Sequence, residues 1–480
     1  MPSISRRIPR AIKRHGGILL GAFGWVLVAT CLTPASAQTE GADAAPGGLW
    51  ERADLFGDMG GLRPGLQRVG VALTLQEISE VLGNVTGGIR TGADYDGLTT
   101  MGLSLDTEKA FGWAGGTLDA SALQIHGRNL SSDNLGTLQT ASGIEASRAI
   151  RLWELWYRQE FLGGKADLKL GQQSLDQEFM ASQSSSLFVN TMMGWPMVPS
   201  ADLYAGGPAY PLSSPGVRVR LQPSEALTVL AGVFDDNPPG GPFSDDSQLR
   251  GAEASGTRFN LNTGALWIGE LQYAANPAPA KNCGTIACGL PGTYKLGAWY
   301  DSASFLDQRF DNNGRSLADP ASNGNALRHR GNFSVYGVAD QTVWRQTGGP
   351  KALNVFVRAM GAPEDRNLID WSLNAGMTLK SPLPGRDDDT FGVGYGWAHV
   401  SGRASDLDRD TARFGDAAVP VRSAEHFIEV TYQYQVAPWW QLQPDFQYVI
   451  DPGGGIRNPQ NAAQIVGDEA VFGLRTTITF

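Results

Sequence analysis

The sequence predicts an all-β protein, a transmembrane antiparallel β-barrel of about 16 strands with short periplasmic turns and long external loops. Three observations predict it. First, the last ten residues alternate strictly: Phe472, Leu474, Ile478 and Phe480 share one strand face, while Gly473, Arg475, Thr477 and Thr479 share the other. Second, the connections between candidate strands alternate in length. Short links at 162–165, 223–226 and 346–350 interleave with long ones at 130–150, 173–215, 235–264, 302–332, 401–422 and 450–470. Third, 61 glycines, 13 Trp, 19 Phe and 12 Tyr sit in a chain of slightly polar mean hydropathy. A lipid-facing strand is apolar only at every second position, so a barrel looks moderately hydrophobic overall.

The amino terminus reads as an export signal. Arg6, Arg7, Arg10, Lys13 and Arg14 form a basic region, residues 16–32 an apolar one, and Ala35-Ser36-Ala37 a small-residue cleavage site. The Arg6-Arg7 pair raises the twin-arginine route, but Pro9 stands where that signal has a bulky apolar residue. Unfolded export suits a barrel better. Residues 1–37 are therefore expected to be a signal peptide. Residues 38–68 would be a periplasmic leader that could hold a short helix, and residues 69–480 the barrel. The location this implies is the bacterial outer membrane.

Sixteen candidate strands follow from alternation and turn signals, at about 69–80, 93–106, 116–129, 151–161, 166–172, 216–222, 227–234, 265–274, 292–301, 333–344, 353–361, 371–380, 390–400, 423–435, 440–449 and 471–480. Alternation is cleanest in 423–435, where Ile428, Val430, Tyr432 and Tyr434 oppose Glu429, Thr431, Gln433 and Gln435. Such faces also suit a soluble β-rich lectin, and the alternating connection lengths favour the barrel. The link between the eighth and ninth strands is long for a periplasmic turn. It carries Cys283 and Cys288, which an oxidising periplasm would join in a small loop disulfide; no second ligand pair supports a zinc site.

Charge and motifs exclude several functions. Removing the five basic signal residues from 38 leaves 33 Lys and Arg against 48 Asp and Glu, a balance of −15, which disfavours nucleic-acid binding. The mature chain holds only His126, His329, His399 and His426, with no Gly-x-Ser-x-Gly or His-Glu-x-x-His motif. An enzyme on a barrel scaffold is thus disfavoured, and no cofactor or metal is expected. Asp406, Asp408 and Asp410 have calcium-loop spacing, but Thr411 and Ala417 occupy the positions that need Gly and an acid, so a solvated external loop is expected there. Residues 387–389 read as a charged turn.

Four stretches resemble those of one family. Residues 56–66 (Phe-Gly-Asp-Met-Gly-Gly-Leu-Arg-Pro-Gly-Leu), 151–161 (Arg-Leu-Trp-Glu-Leu-Trp-Tyr-Arg-Gln-Glu-Phe), 170–179 (Leu-Gly-Gln-Gln-Ser-Leu-Asp-Gln-Glu-Phe) and 443–454 (Gln-Pro-Asp-Phe-Gln-Tyr-Val-Ile-Asp-Pro-Gly-Gly) are similar, in this order, to motifs of the carbohydrate-selective porin family, OprB type. The terminal strand fits as well. The resemblance implies a sixteen-stranded barrel that passes sugars, glucose or a similar monosaccharide, by diffusion. A general, polyol or acid-sugar porin of the same architecture is the alternative. Sugars, outer-membrane lipid and lipopolysaccharide, and the barrel-assembly machinery acting on the strand that ends in Phe480 are the partners such a protein would have. The cysteine-bearing turn is not part of the pattern.

A sugar path needs donors and acceptors that exchange for water yet let the solute go. Alternation places Trp153, Leu155, Tyr157 and Phe161 toward lipid and turns Glu154, Arg158 and Glu160 inward. It also turns Lys169, Arg218, Arg220, Arg358, Asp445 and Arg475 inward. These lumen candidates either line the constriction or merely solvate the wall. The long segment 173–215 carries Trp195, Tyr204 and Tyr210. It could fold inward as a constriction loop or form an external lid of mutually packed aromatics.

Overall fold

The computed structural model describes residues 48–238, 254–276, 289–415 and 419–480. The signal segment and both cysteines, Cys283 and Cys288, lie outside the described residues. The strands are β1 (Val71–Gly88), β2 (Gly92–Asp106), β3 (Gly116–Gly127), β4 (Ala149–Phe161), β5 (Ala166–Gln173), β6 (Ser214–Ser224), β7 (Leu227–Asp235) and β8 (Ala265–Ala275). They continue with β9 (Gly292–Asp311), β10 (Ala326–Arg345), β11 (Ala352–Gly361), β12 (Ile369–Lys380), β13 (Thr390–Val400), β14 (Ala424–Ala437) and β15 (Trp440–Ile450). A small external hairpin, β16 (Arg457–Asn458) and β17 (Asn461–Ile465), precedes the last strand, β18 (Gly467–Thr479). All but β16 and β17 pair in sequence order into one closed barrel, sealed by antiparallel β1 and β18 from Gln76↔Thr479 to Gly88↔Gly467. Closure removes the unpaired strand edge that hydrocarbon would not tolerate.

The sixteen barrel strands fall where alternation places them, with differences at the ends. β9 and β10 each run 20 residues, far past the expected 292–301 and 333–344. A crossing needs only ~9–11 residues, so this hairpin projects outward. Its tip closes on Asp311, whose carboxylate accepts the Asn313 and Arg315 amides at 2.9 Å. A polar sequence held by such turn bonds carries no apolar alternation to read.

The outer wall is apolar where alternation places it, with Leu155, Leu170, Val219, Trp267, Leu271, Tyr300, Val335, Trp371 and Phe472 all exposed on it. Trp153 departs from its expected lipid-facing position. Ser121 pairs with Glu154 but Ala122 with Leu152, so a bulge at Trp153 gives β4 two successive inward residues. Trp153 is buried with Ile78, Leu98, Leu123, Ile125 and Ile144 instead. Trp156 also faces inward, under the Lys169 ammonium at 4.2 Å.

Residues 48–70 dock on the periplasmic rim around helix α1 (Leu62–Arg68), and a short helix α2 (Thr107–Phe111) follows β2. The Leu55 amide donates to the Thr479 carbonyl at 2.9 Å, Trp50 stacks on Trp439 with centroids 6.0 Å apart, and Phe56 lies 5.2 Å from Phe480. The Arg63 guanidinium bonds both Asp54 and the Phe480 main-chain oxygen. The external segment 401–422, expected as a solvated loop, instead contains helix α5 (Gly402–Phe414), capped by the Ser401 hydroxyl. Its aspartates are ion-paired: Asp406 and Asp410 hold Arg309, and Asp408 holds Arg422.

On β13, inward positions 392, 394 and 396 are all glycine. A Cβ at Gly394 would lie 2.7 Å from Met193 Cε and 2.9 Å from the Phe188 ring, and one at Gly392 2.6 Å from Leu187. The wall is hollowed there for the segment after β5. Gly394→Val should overpack this contact at a cost of about 1–3 kcal/mol, read as a lower temperature for loss of the fast-migrating folded form in unheated gel samples.

Candidate functional site

The segment between β5 and β6 enters the barrel. It contains two single turns, α3 (Thr191–Gly194) and α4 (Met197–Asp202), and otherwise irregular chain. Its Phe179, Leu187, Phe188, Met192, Met193, Trp195 and Met197 pack on inward residues of β7 to β15, including Leu230, Phe234, Ile268, Trp299, Val338, Phe356 and Phe427. Half the lumen is thus an apolar foundation for the loop. Irregular chain buried this way leaves many amides and carbonyls without ladder partners, and each needs one. Wall side chains supply them. Glu270 accepts the Met180 amide (2.7 Å), Asp340 the Ser184 amide (3.0 Å), Glu154 the Ser174 amide (2.9 Å), and Glu429 the Val189 and Asn190 amides (2.5 and 3.2 Å).

Arg358 on β11 does the converse. Its guanidinium donates to the carbonyls of Met180 (2.9 Å), Gly194 (2.8 Å), Met192 (2.5 Å) and Met193 (3.1 Å), and to Asn374 Oδ1 (3.0 Å). It is 1% exposed. Arg358 points inward as alternation predicts but lies beneath the loop, so solute does not reach it. Arg475 is covered similarly by the segment between β3 and β4: it donates to Glu80 Oε2 (2.8 Å) and the Ser142 hydroxyl (3.2 Å). Glu425 accepts the Leu138, Gln139 and Gly453 amides at 2.6–2.7 Å, tying the same segment to the opposite wall. Asp445 is buried beside Gln447, which it meets at 2.9 Å.

Paired charges line the inward faces of β4, β5 and β6. Arg158 pairs with Glu160 (3.2 Å), Lys169 with Glu178 (3.0 Å), Arg218 with Asp167 and Glu178 (2.6 Å to the latter), and Arg220 with Asp167 (2.5 Å). The side chains of Glu160, Arg220, Glu178 and Arg158 are 36%, 26%, 19% and 15% exposed, against 5% for Lys169 and 4% for Arg218. The first four face the water, while Lys169 and Arg218 stand behind Glu178. Burial raises the Glu178 carboxyl, but Lys169 and Arg218 outweigh it and hold the group down at about 2. The result is a belt of alternating sign, with donors and acceptors fixed in place. A cavity of about 640 Å³ lies on the external side, lined by Thr140, Glu145, Met197, Tyr204 and Arg366; one of about 410 Å³ lies on the periplasmic side, lined by Ser184, Asp340, Asn354, Lys380 and Gln433.

The three loop aromatics have separate roles. Trp195 is buried and donates to the Gly206 carbonyl (2.8 Å). Tyr204 stacks on Phe305 at 5.1 Å and donates to the Ser304 carbonyl, in the external cavity wall. Tyr210 donates to the Ile144 carbonyl (2.8 Å), joining the two infolded segments. Sequence reasoning passed over Glu178, Asp167, Glu80, Glu270 and Glu425, although inward parity marks the four that lie on strands. Each histidine among the described residues meets a tyrosine or an aspartate: His126 with Tyr95, His426 with Tyr395, His399 with Asp370, His329 with Asp307. Among the described residues no three His, Cys, Asp or Glu side chains converge as a metal-ligand set.

A closed sixteen-stranded barrel narrowed by infolded external segments defines an outer-membrane porin. The comparisons with known proteins specify which. The family model for carbohydrate-selective porins of the OprB family matches residues 90–480, and the chain belongs to that family. Porin B of Pseudomonas aeruginosa is 26% identical over 431 residues, which cover 85% of this chain and 88% of that protein. The high-pH structure of Pseudomonas putida OprB superposes with a TM-score of 0.77 at 25% identity, covering 90% of this chain and all of the other. The low-pH structure of the same protein gives 0.54 at 19% identity, covering 90% of this chain and 99% of the other. The relatives are porins, channels rather than enzymes.

Two tests follow from the geometry. Arg358→Met takes the donor from the Met180, Met192 and Gly194 carbonyls, each worth about 1–3 kcal/mol when buried, while Met193 keeps the Ser185 hydroxyl at 2.7 Å. The loop should loosen, and single-channel conductance should rise with noisier open-state current. A second test concerns acid. Because the Glu178 carboxyl is held below its ordinary value, its contribution to stability is complete above about pH 4.3 and is lost as pH falls through about 2. Melting temperature should drop across that window, and Glu178→Gln should flatten the drop.

Proposed function

We propose that this porin passes neutral monosaccharides, glucose among them, along the charged inner faces of β4–β6. The observation that carries the reading is the belt of paired charges, Arg158 with Glu160 and Arg220 with Asp167, at the water-exposed edge of the infolded loop. Fixed donors and acceptors of both signs exchange for the water on sugar hydroxyls, while the pairing limits any net field that would draw in an ion. Preference for an acid sugar would need unpaired cations there. Arg158 and Arg220 contact the solute in this reading, Glu154, Lys169 and Arg218 hold Glu178 and the loop in place, and Arg358, Asp445 and Arg475 act through the loops they secure.

The mature chain begins at Gln38 in this reading, and the strand ending in Phe480 is the part that the barrel-assembly machinery takes up. Proteoliposome swelling tests the cargo. Glucose should enter several-fold faster than maltose or gluconate, and Arg158→Ala with Arg220→Ala should reduce the glucose advantage. Equal or faster gluconate entry would establish an acid-sugar porin instead.

A further inference from the structure

Outside the channel, the external end of β1–β4 carries a groove that the sugar path does not use. It measures about 780 Å³ and is lined by Arg90, Arg128, Arg148 and a single acid, Asp133, among neutral residues. All three arginines are exposed. Arg90 is fixed through Nε, which donates to Asn134 Oδ1 (2.8 Å) and the Asp133 carbonyl (3.1 Å). Arg148 is fixed the same way, Nε to the Gly127 carbonyl at 2.6 Å. Both residues line the groove, and the hydrogen bonds that hold them are made through Nε rather than the terminal nitrogens. The Arg128 side chain has no partner among the described residues, while its amide donates to the Tyr95 carbonyl (2.9 Å). Fixed guanidinium forks suit a phosphate, which they can grip in two-point fashion.

A second, independent observation says which phosphate. Below the groove a polar strip crosses the outer wall, bordered by the exposed Val81, Val85 and Ile150. Tyr95 Oη meets His126 Nε2 at 3.1 Å and Ser79 Oγ at 3.0 Å. Ser79 donates to Glu77 (3.1 Å), and the Thr99 hydroxyl lies 2.5 Å from Glu77 and 3.1 Å from Gln124. These residues face away from the lumen: their neighbours Gln76, Ile78, Leu98, Thr100, Leu123 and Ile125 are the buried inward set. Gly97 lets the His126 ring lie flat on the wall, since a Cβ there would fall 2.0 Å from Nε2. Polar groups on a lipid-facing surface are costly unless something polar covers them. On the far side of the barrel the same surface carries Leu296, Phe333, Val335 and Trp371.

We propose that this face seats a phosphorylated glycolipid of the outer leaflet, with its phosphates on Arg90, Arg128 and Arg148 and its amide- and hydroxyl-bearing linkage on the polar strip below. A free anion would have no use for the strip, and a plain phospholipid lacks the second phosphate that three arginines can hold. The test uses the full mature barrel, folded in detergent, with bis-phosphorylated lipid A as probe and native mass spectrometry as readout. Wild type should retain lipid A at least tenfold better than Arg128→Gln/Arg148→Gln, and better than it retains dephosphorylated lipid A. Arg330→Gln, an exposed arginine on the opposite side, should bind like wild type. Heat-modifiable migration establishes that each variant is folded, and glucose flux should be unchanged in the double variant. Equal retention by wild type and double variant would overturn the proposal, as would displacement of lipid A by millimolar inorganic phosphate, which would mark a free-anion site.

Discussion

The structure depends on finding partners for irregular backbone inside a closed cylinder. Two external segments, between β3 and β4 and between β5 and β6, enter the barrel without forming sheets. Their amides and carbonyls cannot reach bulk water, and they cannot join a ladder that is already complete. Inward side chains of the wall take up the load: Glu154, Glu270, Asp340, Glu425 and Glu429 accept amides, and Arg358 donates to four carbonyls. Removing any one strands groups on the loop rather than on the wall, so polar pairing and aperture shape are the same property.

This requirement divides the lumen. The walls from β7 to β15 present Leu230, Phe234, Ile268, Val338 and Phe356 inward, against the polar-in rule, because they face loop rather than water. The walls from β4 to β6 keep polar inward faces, and there charges meet in pairs, with Arg158, Glu160 and Arg220 partly exposed and Asp167, Lys169 and Arg218 buried. An apolar half positions the loop and a polar half carries the charges. The glycines of β13 belong to the first half, since Leu187, Phe188 and Met193 occupy the space that side chains would have taken.

Much of this architecture is legible in the sequence. Strand number, alternation and the direction of Arg158, Arg218, Arg220, Arg358 and Arg475 follow from a period of two, which any half-apolar strand obeys. What the period cannot give is depth. Arg358 and Arg220 are both inward arginines, yet one is sealed under a loop and the other is wet, and only the loop's path separates them. Nor can parity survive a bulge: one extra residue at Trp153 reverses the expected direction of a tryptophan. The β9–β10 projection and helix α5 were hidden for a related reason, because both are held by turn bonds and ion pairs rather than by an apolar face.

The two ends of the described chain meet at the periplasmic rim, where Arg63 grips the main chain of Phe480 and Leu55 is bonded to Thr479. The final residue is therefore also a latch. Without Phe480 the Arg63 and Phe56 contacts would go while Thr479 and Trp439 still held Leu55 and Trp50, so the strap would come undone from its helical end first.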